Sequence, residues 1–325
     1  MQINLIIGLG AGLVSAMLFA SASTGTVLGL FVLFFLSPMP IAIAGLGWGW
    51  KAAGVAAVAG ATAIGIVSAP KGAMFHMLAL GAPTAVLSYL ALLNREVETE
   101  AGTIATQWYP LGRIVAIAAL IAGGLATLAL LSTATDMDNL RAQLRRTIEL
   151  MSSRPAGMPM PTGAPASFTP EQVTGLTNIV IGLFTASLAS MWLFIAMLNM
   201  WLAGRVVRKS DRLVRPWPDL SQLHLPQAMP IALAVALAGT FLPDFAGLIA
   251  AGFASSILMA YVFVGLAILH NLTRGHAQRS IILSGTYAVL MVFGMIAGPA
   301  LALLALAEPF SPLRRKPPPQ GPAAN

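Results

Sequence analysis

Long apolar segments follow one another along almost the whole chain. A helix rises about 1.5 Å per residue, so about twenty apolar residues are needed to cross the hydrocarbon core of a bilayer. Charged residues make up 9% of the 325 residues and apolar residues 57%, whereas a soluble domain carries about 25% charged residues. The pattern excludes an ordinary soluble enzyme and predicts an integral membrane protein.

Measured against that length, the segments predict an all-α, polytopic bundle of about nine transmembrane helices, with about eight as the alternative. The predicted spans are 3–20, 24–47, 51–68, 72–93, 110–131, 172–203, 230–242, 245–269 and 280–306. The seventh is shorter than a crossing requires, which keeps the alternative open. Thr169, Pro170 and Gln172 form a capping signature that predicts where the sixth helix begins.

The chain divides into four predicted regions. Residues 1–132 form an N-terminal bundle of about five spans, and 171–307 a C-terminal bundle of about four with a basic inner loop at 204–228. Between them, 133–170 is predicted to hold an amphipathic helix on the outer membrane surface and a proline-rich linker. The apolar stripe of that helix consists of Met137, Leu140, Leu144, Ile148 and Met151. Residues 308–325 are predicted to be a disordered tail.

Basic residues predict the orientation of the chain, whose net charge is +7. The strongest cluster lies on one side of a helical wheel and consists of Arg205, Arg208, Lys209, Arg212 and Arg215. It predicts that the sixth helix leaves the membrane and continues as a basic-faced helix to Pro216. The positive-inside rule places this cluster and the N-terminus in the cytoplasm. We expect the cluster to bind lipid headgroups rather than nucleic acid, with a cytoplasmic partner as the alternative.

Small residues recur at every fourth position of the first predicted span, at Gly8, Gly12, Ala16 and Ala20. Such faces let two helices approach closely in a bilayer. The face either packs against another helix of the chain or docks another membrane subunit. A terminal helix often lies at the edge of a bundle, which makes this face the best candidate for partner docking.

The residue types needed for several chemistries are scarce. The chain has no cysteine and four histidines, and it contains no HExxH, Walker or GxSxG motif. We therefore expect no metal, no cofactor and no enzymatic activity, with an intramembrane enzyme as a minor alternative. Carboxylates are absent from the middle of the apolar segments, so an energy-coupling site of the kind used by ion-driven carriers is not expected.

Candidate ligand-cavity residues come from the polar groups and breaks within the spans. Pro38 and Pro40 interrupt the second span and free backbone carbonyls, which only protein or a water-filled cavity can cover at that depth. The intramembrane polar candidates are His76, Asn199 and Tyr261. Each could instead make an ordinary interhelical hydrogen bond, and the proline pair could be a simple loop. Aromatic residues near the predicted interfaces, among them Trp48, Trp50, Trp108, Tyr109, Trp201 and Trp217, are typical of an aromatic belt.

Five stretches resemble the YybS-like family of uncharacterised bacterial integral membrane proteins. They are PIAIAGLGWG at 40–49, YPLGR at 109–113, LNMWLAGR at 198–205, RPWPDL at 215–220 and HNLTRG at 270–275. The resemblance covers most of the chain apart from the proline-rich loop and the tail. It implies a multi-pass protein of the bacterial inner membrane and carries over no catalytic residues, because the family has no established activity.

A weaker resemblance, over 38–66, is to the substrate-binding S components of energy-coupling-factor vitamin transporters. It would imply a cavity for a small micronutrient and docking of a small-residue helix on a coupling subunit. The chain departs from that family by its larger number of spans and its long outer loop.

Two functions remain open from the sequence. The first is binding or movement of a small molecule without an energy-coupling site, which requires a pocket beneath the proline break. The second is a membrane scaffold or assembly factor that docks partners through its Gly/Ala faces and its basic cytoplasmic helix, which requires no such pocket.

Overall fold

The computed structural model of the protein describes residues 2–21, 27–98, 102–152, 169–310 and 313–314. Within them the chain is helical except for one hairpin and the connecting turns. The helices are α1 (Gln2–Ser21), α2 (Val27–Leu36), α3 (Met39–Trp48), α4 (Trp50–Val67), α5 (Pro70–Phe75), α6 (Ala82–Leu92), α7 (Leu111–Thr133), α8 (Met137–Ser152), α9 (Pro170–Lys209), α10 (Met229–Gly239), α11 (Asp244–Leu272) and α12 (Arg279–Ala307). A π-helical segment, His76–Gly81, joins α5 to α6, and Leu220–Gln222 forms a 3-10 turn. The all-α fold class is confirmed.

Seven helical segments of the described residues are long and apolar enough to cross a membrane, or eight if the bent helix α12 counts as one span. The seven are α1, Phe31–Trp48, α4, Pro70–Leu92, α7, α9 and α11. The count of nine is therefore too high, and the alternative of eight lies within the observed range. At the seventh predicted span, α10 has only 11 residues, about 16 Å of helix, which is too short to cross without the turn that follows it.

The chain forms two compact units, and each is described by itself. The first unit comprises Met1–Ala118, Leu193–Pro230 and Leu258–Asn325. The second comprises Ala119–Trp192 and Ile231–Ile257.

In the first unit, α1 lies parallel to α4, at very close approach. A Cβ at Gly8 would lie 2.8 Å from the carbonyl oxygen of Ala52, and a Cβ at Gly12 would lie 2.9 Å from the Cβ of Ala59. Because α1 and α4 advance together, the N-terminal end of α1 lies at the same end of the unit as the start of α4. Helices α3 and α6 also pack on α4, so this Ala/Gly-rich helix is the centre of the unit.

Helix α9 ends at Lys209, not at Pro216 as the sequence predicts. The backbone N–H of Arg212 donates to the carbonyl of Val207 at 3.1 Å, and that of Asp211 donates to Arg208 at 3.1 Å. With Asp211 at φ 52°, this is a Schellman motif, which closes a helix by turning the chain into the left-handed region. Arg212 and Arg215 therefore lie in the loop after α9, not on a continuing helix.

Helix α12 reverses direction within the first unit. Its two legs, Arg279–Gly294 and Ile296–Ala307, are bent by 119°. The second leg runs alongside α11 in the same direction as α11. A Cβ at Gly298 would lie 3.8 Å from the side chain of Val262, and a Cβ at Gly265 would meet the backbone of Leu301. Both ends of α12 therefore approach the same end of the unit, which a helix that crosses the bilayer once does not do.

The second unit contains α8 and the parts of α7, α9 and α11 that lie within its ranges. The capping box at the start of α9 is confirmed: the backbone N–H of Gln172 donates to Thr169 Oγ1 at 3.3 Å, and that of Thr169 donates to Gln172 Oε1 at 2.9 Å. The predicted amphipathic helix is present as α8, but its stripe does not face only the membrane surface. Leu140 is fully buried against Leu130 and Ile181, so protein covers part of the stripe.

A β-hairpin joins α6 to α7 and is absent from the predicted elements. Strands β1 (Asn94–Glu98) and β2 (Ile104–Trp108) pair antiparallel, with Asn94 opposite Trp108. Most of the predicted proline-rich linker and most of the predicted tail lie outside the described residues. Within that tail region, Glu308 and Arg314 form an ion pair, with 2.6 Å between Oε1 and Nε.

Candidate functional site

The proline break between α2 and α3 is covered by protein side chains. Pro38 has no N–H and cannot bond the carbonyl of Phe34, which instead accepts from the backbone N–H of Ser37 at 3.2 Å and from its hydroxyl at 2.8 Å. The next carbonyl, of Phe35, accepts from Asn199 Nδ2 at 2.7 Å. Asn199 is 2% exposed, so α9 supplies the hydrogen bond that the break removes. The structure thus brings together two of the predicted cavity elements, as a hydrogen-bonded junction.

His76 makes a separate contact. Its Nε2 lies 3.0 Å from Ser15 Oγ, both side chains are fully buried, and the ring meets Phe19 edge-on at 5.6 Å. Its Cε1 also lies where a Cβ at Gly60 would approach to 2.6 Å. His76 therefore fixes α1 against α4 and the π-helical segment, and it does not reach the proline break. Tyr261 is buried in α11 at 5% exposure.

The predicted docking face of α1 is occupied within the chain. Gly8, Gly12 and Ala16 are buried, and α4 covers the first two. Gly8 and Gly12 therefore serve packing within the chain, the alternative that the sequence left open. Partner docking through this helix stays a prediction. Ala20, at the end of the same helix, is half-buried.

An open apolar groove with a volume of about 520 Å³ lies between α1 and α3. Its lining residues are Ile6, Ile7, Gly10, Ala11, Val14, Pro40, Ile43, Ala44 and Trp48. Pro40 is the one predicted ligand-cavity residue among them. The groove differs from the expected pocket because His76 and Asn199 are not among its lining residues.

The basic residues in the last turns of α9 and in the loop after it stack on aromatic rings, and we call this set the basic–aromatic collar. The guanidinium carbons lie 5.1 to 6.0 Å from the ring centroids, within the range of cation–π attraction. The pairs are Arg205 with Trp201, Arg208 with Trp217, Arg212 with Trp48 and Arg215 with Trp108. The collar therefore joins the basic cluster and the aromatic belt, which the sequence indicated only as separate features. Only the first pair has a local signal, because Trp201 and Arg205 are four positions apart on one helix.

Several polar contacts hold the collar and its loop in place. Arg215 donates to the carbonyl of Ala91 at 3.1 Å, and burial lowers the pKa of its guanidinium. Arg274 at the end of α11 reaches Asp219 Oδ1 at 2.6 Å. Burial raises the pKa of Asp219, but hydrogen bonds from Arg274 and Ser221 and the charge of Arg274 outweigh that effect, so the net pKa is lowered.

The described part of the C-terminal region reaches the same loop. Arg314 donates from Nη1 to the carbonyl of Ser221 at 3.1 Å and from Nη2 to Glu308 Oε2 at 2.9 Å. Both ends of α12 are thereby tied to the loop after α9, through Arg274 before the helix and Arg314 after it. The N-terminal end of α1 lies near the collar as well, because α4 starts two residues after Trp48.

The comparisons with known proteins identify a family without supplying an activity. The family model for predicted membrane proteins designated DUF2232 matches residues 13–307. No curated protein and no solved structure matches the chain. The YybS-like assignment and the likeness to energy-coupling-factor S components are not confirmed by these findings. A match over this much of the sequence shows that the chain belongs to the DUF2232 family of predicted membrane proteins.

Proposed function

We propose that the protein is a multi-pass protein of the bacterial inner membrane and that its collar faces the cytoplasm. The support is electrostatic: the collar gathers Arg205, Arg208, Arg212 and Arg215 at one end of the first unit. Loops rich in arginine and lysine stay on the cytoplasmic side. Tryptophan rings prefer the depth of the lipid headgroups, which agrees with their place beside the arginines.

This orientation puts both termini in the cytoplasm. The N-terminal end of α1 and Arg314 both lie at the collar end of the first unit, so the chain crosses the bilayer an even number of times. The seven long apolar segments, together with α10 and the turn after it, make eight crossings, provided that α12 is re-entrant and does not itself cross. The basic C-terminal residues then lie on the cytoplasmic side, which nine crossings would not allow.

Within this topology, we propose that the protein binds a small, largely apolar molecule and contains no energy-coupling site of its own. The observation that carries the proposal is the groove between α1 and α3, of about 520 Å³. Ligand sites in proteins are concave and mostly apolar, with few polar groups that fix orientation. The groove has this character, and the Arg212–Trp48 pair adjoins it at one end.

The proposal is tested by filling the groove. A Cβ at Gly10 would meet no atom within 4 Å, so Gly10→Leu adds a side chain to the groove without a clash. The matched control is Gly54→Leu, since Gly54 on α4 has equally open space and does not line the groove. Small molecules retained by protein purified in mild detergent are then identified by native mass spectrometry. Loss of a bound species in the first variant alone supports the proposal, whereas identical retention in both variants contradicts it.

A second function, a scaffold that docks an acidic cytoplasmic protein, is favoured by the fixed geometry of the collar. Ring stacking, and at Arg215 a hydrogen bond to the carbonyl of Ala91, pre-organise its arginines, which reduces the entropy lost on binding. Photo-crosslinkers placed at Val206 and at Val214, both exposed, would test it. A crosslinked protein that disappears when Arg205 and Lys209 are changed to Glu supports docking. Unchanged crosslinking would contradict it.

A further inference from the structure

We propose that the groove between α1 and α3 holds one acyl chain of an anionic phospholipid, whose phosphate binds Arg212. This inference rests on the proposed small-molecule function and names the class of ligand. The site has two adjacent parts, an apolar slot and a cationic end formed by Arg212. Trp48 belongs to both, because it lines the slot and its ring stacks on the guanidinium of Arg212.

The apolar part can hold a stretch of an acyl chain and is open along one edge. From Trp48 to Pro40 the groove follows α3 for about 12 Å, at 1.5 Å per residue. Gly10 leaves open space on the facing side of α1. The outer edge is open, because Ile6 is 66% exposed and Val14 is 47% exposed. A lipid chain can therefore enter sideways from the bilayer, whereas a soluble solute would have to cross hydrocarbon to reach the slot.

The cationic part lies at headgroup depth. The guanidinium carbon of Arg212 is 5.1 Å from the ring centroid of Trp48, and tryptophan marks the membrane interface. The Schellman turn that ends α9 fixes the backbone of Arg212. A guanidinium that stacks on a ring still presents N–H groups at its edge, which bind phosphate oxygens in pairs.

The charge of Arg212 is available for a ligand. The acidic side chains that pair with arginines in this part of the first unit, Asp219 and Glu308, contact Arg274 and Arg314 instead. Arg212 itself is exposed. A phosphate diester therefore complements this end of the groove in charge, and an acyl chain complements the rest in polarity.

The test compares two lipids that share their acyl chains and differ in headgroup charge. Purified full-length protein in detergent is titrated with dioleoyl phosphatidylglycerol or dioleoyl phosphatidylcholine, and bound lipid is counted by native mass spectrometry. We expect at least one phosphatidylglycerol to bind more tightly than phosphatidylcholine. Arg212→Gln should weaken that first binding step about five-fold, the equivalent of roughly 1 kcal/mol for one cation at a membrane surface.

Arg208→Gln is the matched control, because Arg208 stacks on Trp217 in the same way and Trp217 does not line the groove. It should leave the first binding step unchanged. Gly10→Leu should weaken binding of both lipids, and Gly54→Leu should not. Circular dichroism and gel filtration of each variant verify that it is folded, and Gly10→Ala provides a smaller change that should weaken binding less.

The outcomes separate the two proposals. Equal binding of both lipids, or equal effects of Arg212→Gln and Arg208→Gln, overturns the proposal of an anionic lipid. The proposal of a groove ligand is judged separately, by the effect of Gly10→Leu. If Gly10→Leu changes the binding of neither lipid and removes no other retained molecule, the bound lipid is annular only, and both proposals are wrong.

Discussion

The side-chain amide of Asn199 on α9 donates to the carbonyl oxygen of Phe35 on α2 at 2.7 Å. This carbonyl lies where the helix is interrupted before Pro38, and in the apolar part of a membrane no water would replace a lost hydrogen bond. Asn199 also donates to the carbonyl of Ile195 on its own helix at 2.9 Å. One buried amide thus makes a broken helix tolerable inside the membrane.

Asn199→Leu should therefore lower the free energy of unfolding by about 0.6–2 kcal/mol, the range measured for hydrogen bonds between membrane helices. The reason is that the carbonyl of Phe35 loses its donor while it stays buried. Thermal unfolding in detergent, followed by circular dichroism, measures the change. Asn178→Leu, an exposed asparagine of the same helix, should have little effect; equal losses in both variants would show that the Phe35 contact is not the cause.

The close approach of α1 to α4 predicts opposite results for two glycines of one helix. Gly12→Ala would push a Cβ into the carbonyl of Ala56 and to 2.9 Å from the Cβ of Ala59, whereas a Cβ at Gly10 would meet nothing within 4 Å. We expect the first change to destabilise the protein by about 1–3 kcal/mol, as overpacking does. Gly10→Ala should be neutral or slightly stabilising. Chemical denaturation of the purified proteins distinguishes the two, and an equal response at both sites would disprove the packing.

The ion pair between Asp219 and Arg274 predicts an acid-sensitive collar. The pKa of Asp219 is lowered from 3.8 in the folded protein, so its contribution to stability is present above that value and is lost as the pH falls below it. Melting temperatures between pH 7 and pH 3 should fall less steeply for Asp219→Asn than for the parent protein. Parallel curves for the parent and Asp219→Asn would contradict the prediction.

The reversal of α12 predicts the location of the C-terminus. A reporter that is active only in the cytoplasm, fused after Asn325, should be active, because Arg274 and Arg314 tie both ends of the helix to one loop. The same reporter placed before Gln2 should also be active. Activity at only one terminus would mean that α12 crosses the bilayer and that the crossing number is odd.

The contacts of the candidate site show how far sequence patterns extend. The pairing of Trp201 with Arg205 follows from helical spacing, and the partner of Thr169 in the capping box follows from the same local geometry. The pairing of Arg212 with Trp48 does not, because no periodicity connects a loop after α9 with the end of α3. Asn199 was a candidate by its polarity, yet its partner lies 164 positions away in the sequence.

The membrane class, the position of most helices and the clustering of basic residues are readable from the sequence, since they depend on composition and on repeats within single segments. The packing of α4 on the small-residue face of α1, the end of α9 at Lys209 and the reversal of α12 at Gly294 became known from the folded chain. Apolar periodicity gives a helix a buried face and leaves the choice of the neighbour open. In a bilayer that choice depends on which surfaces pack most closely and which freed backbone groups find a donor, and both are properties of segments far apart in the chain.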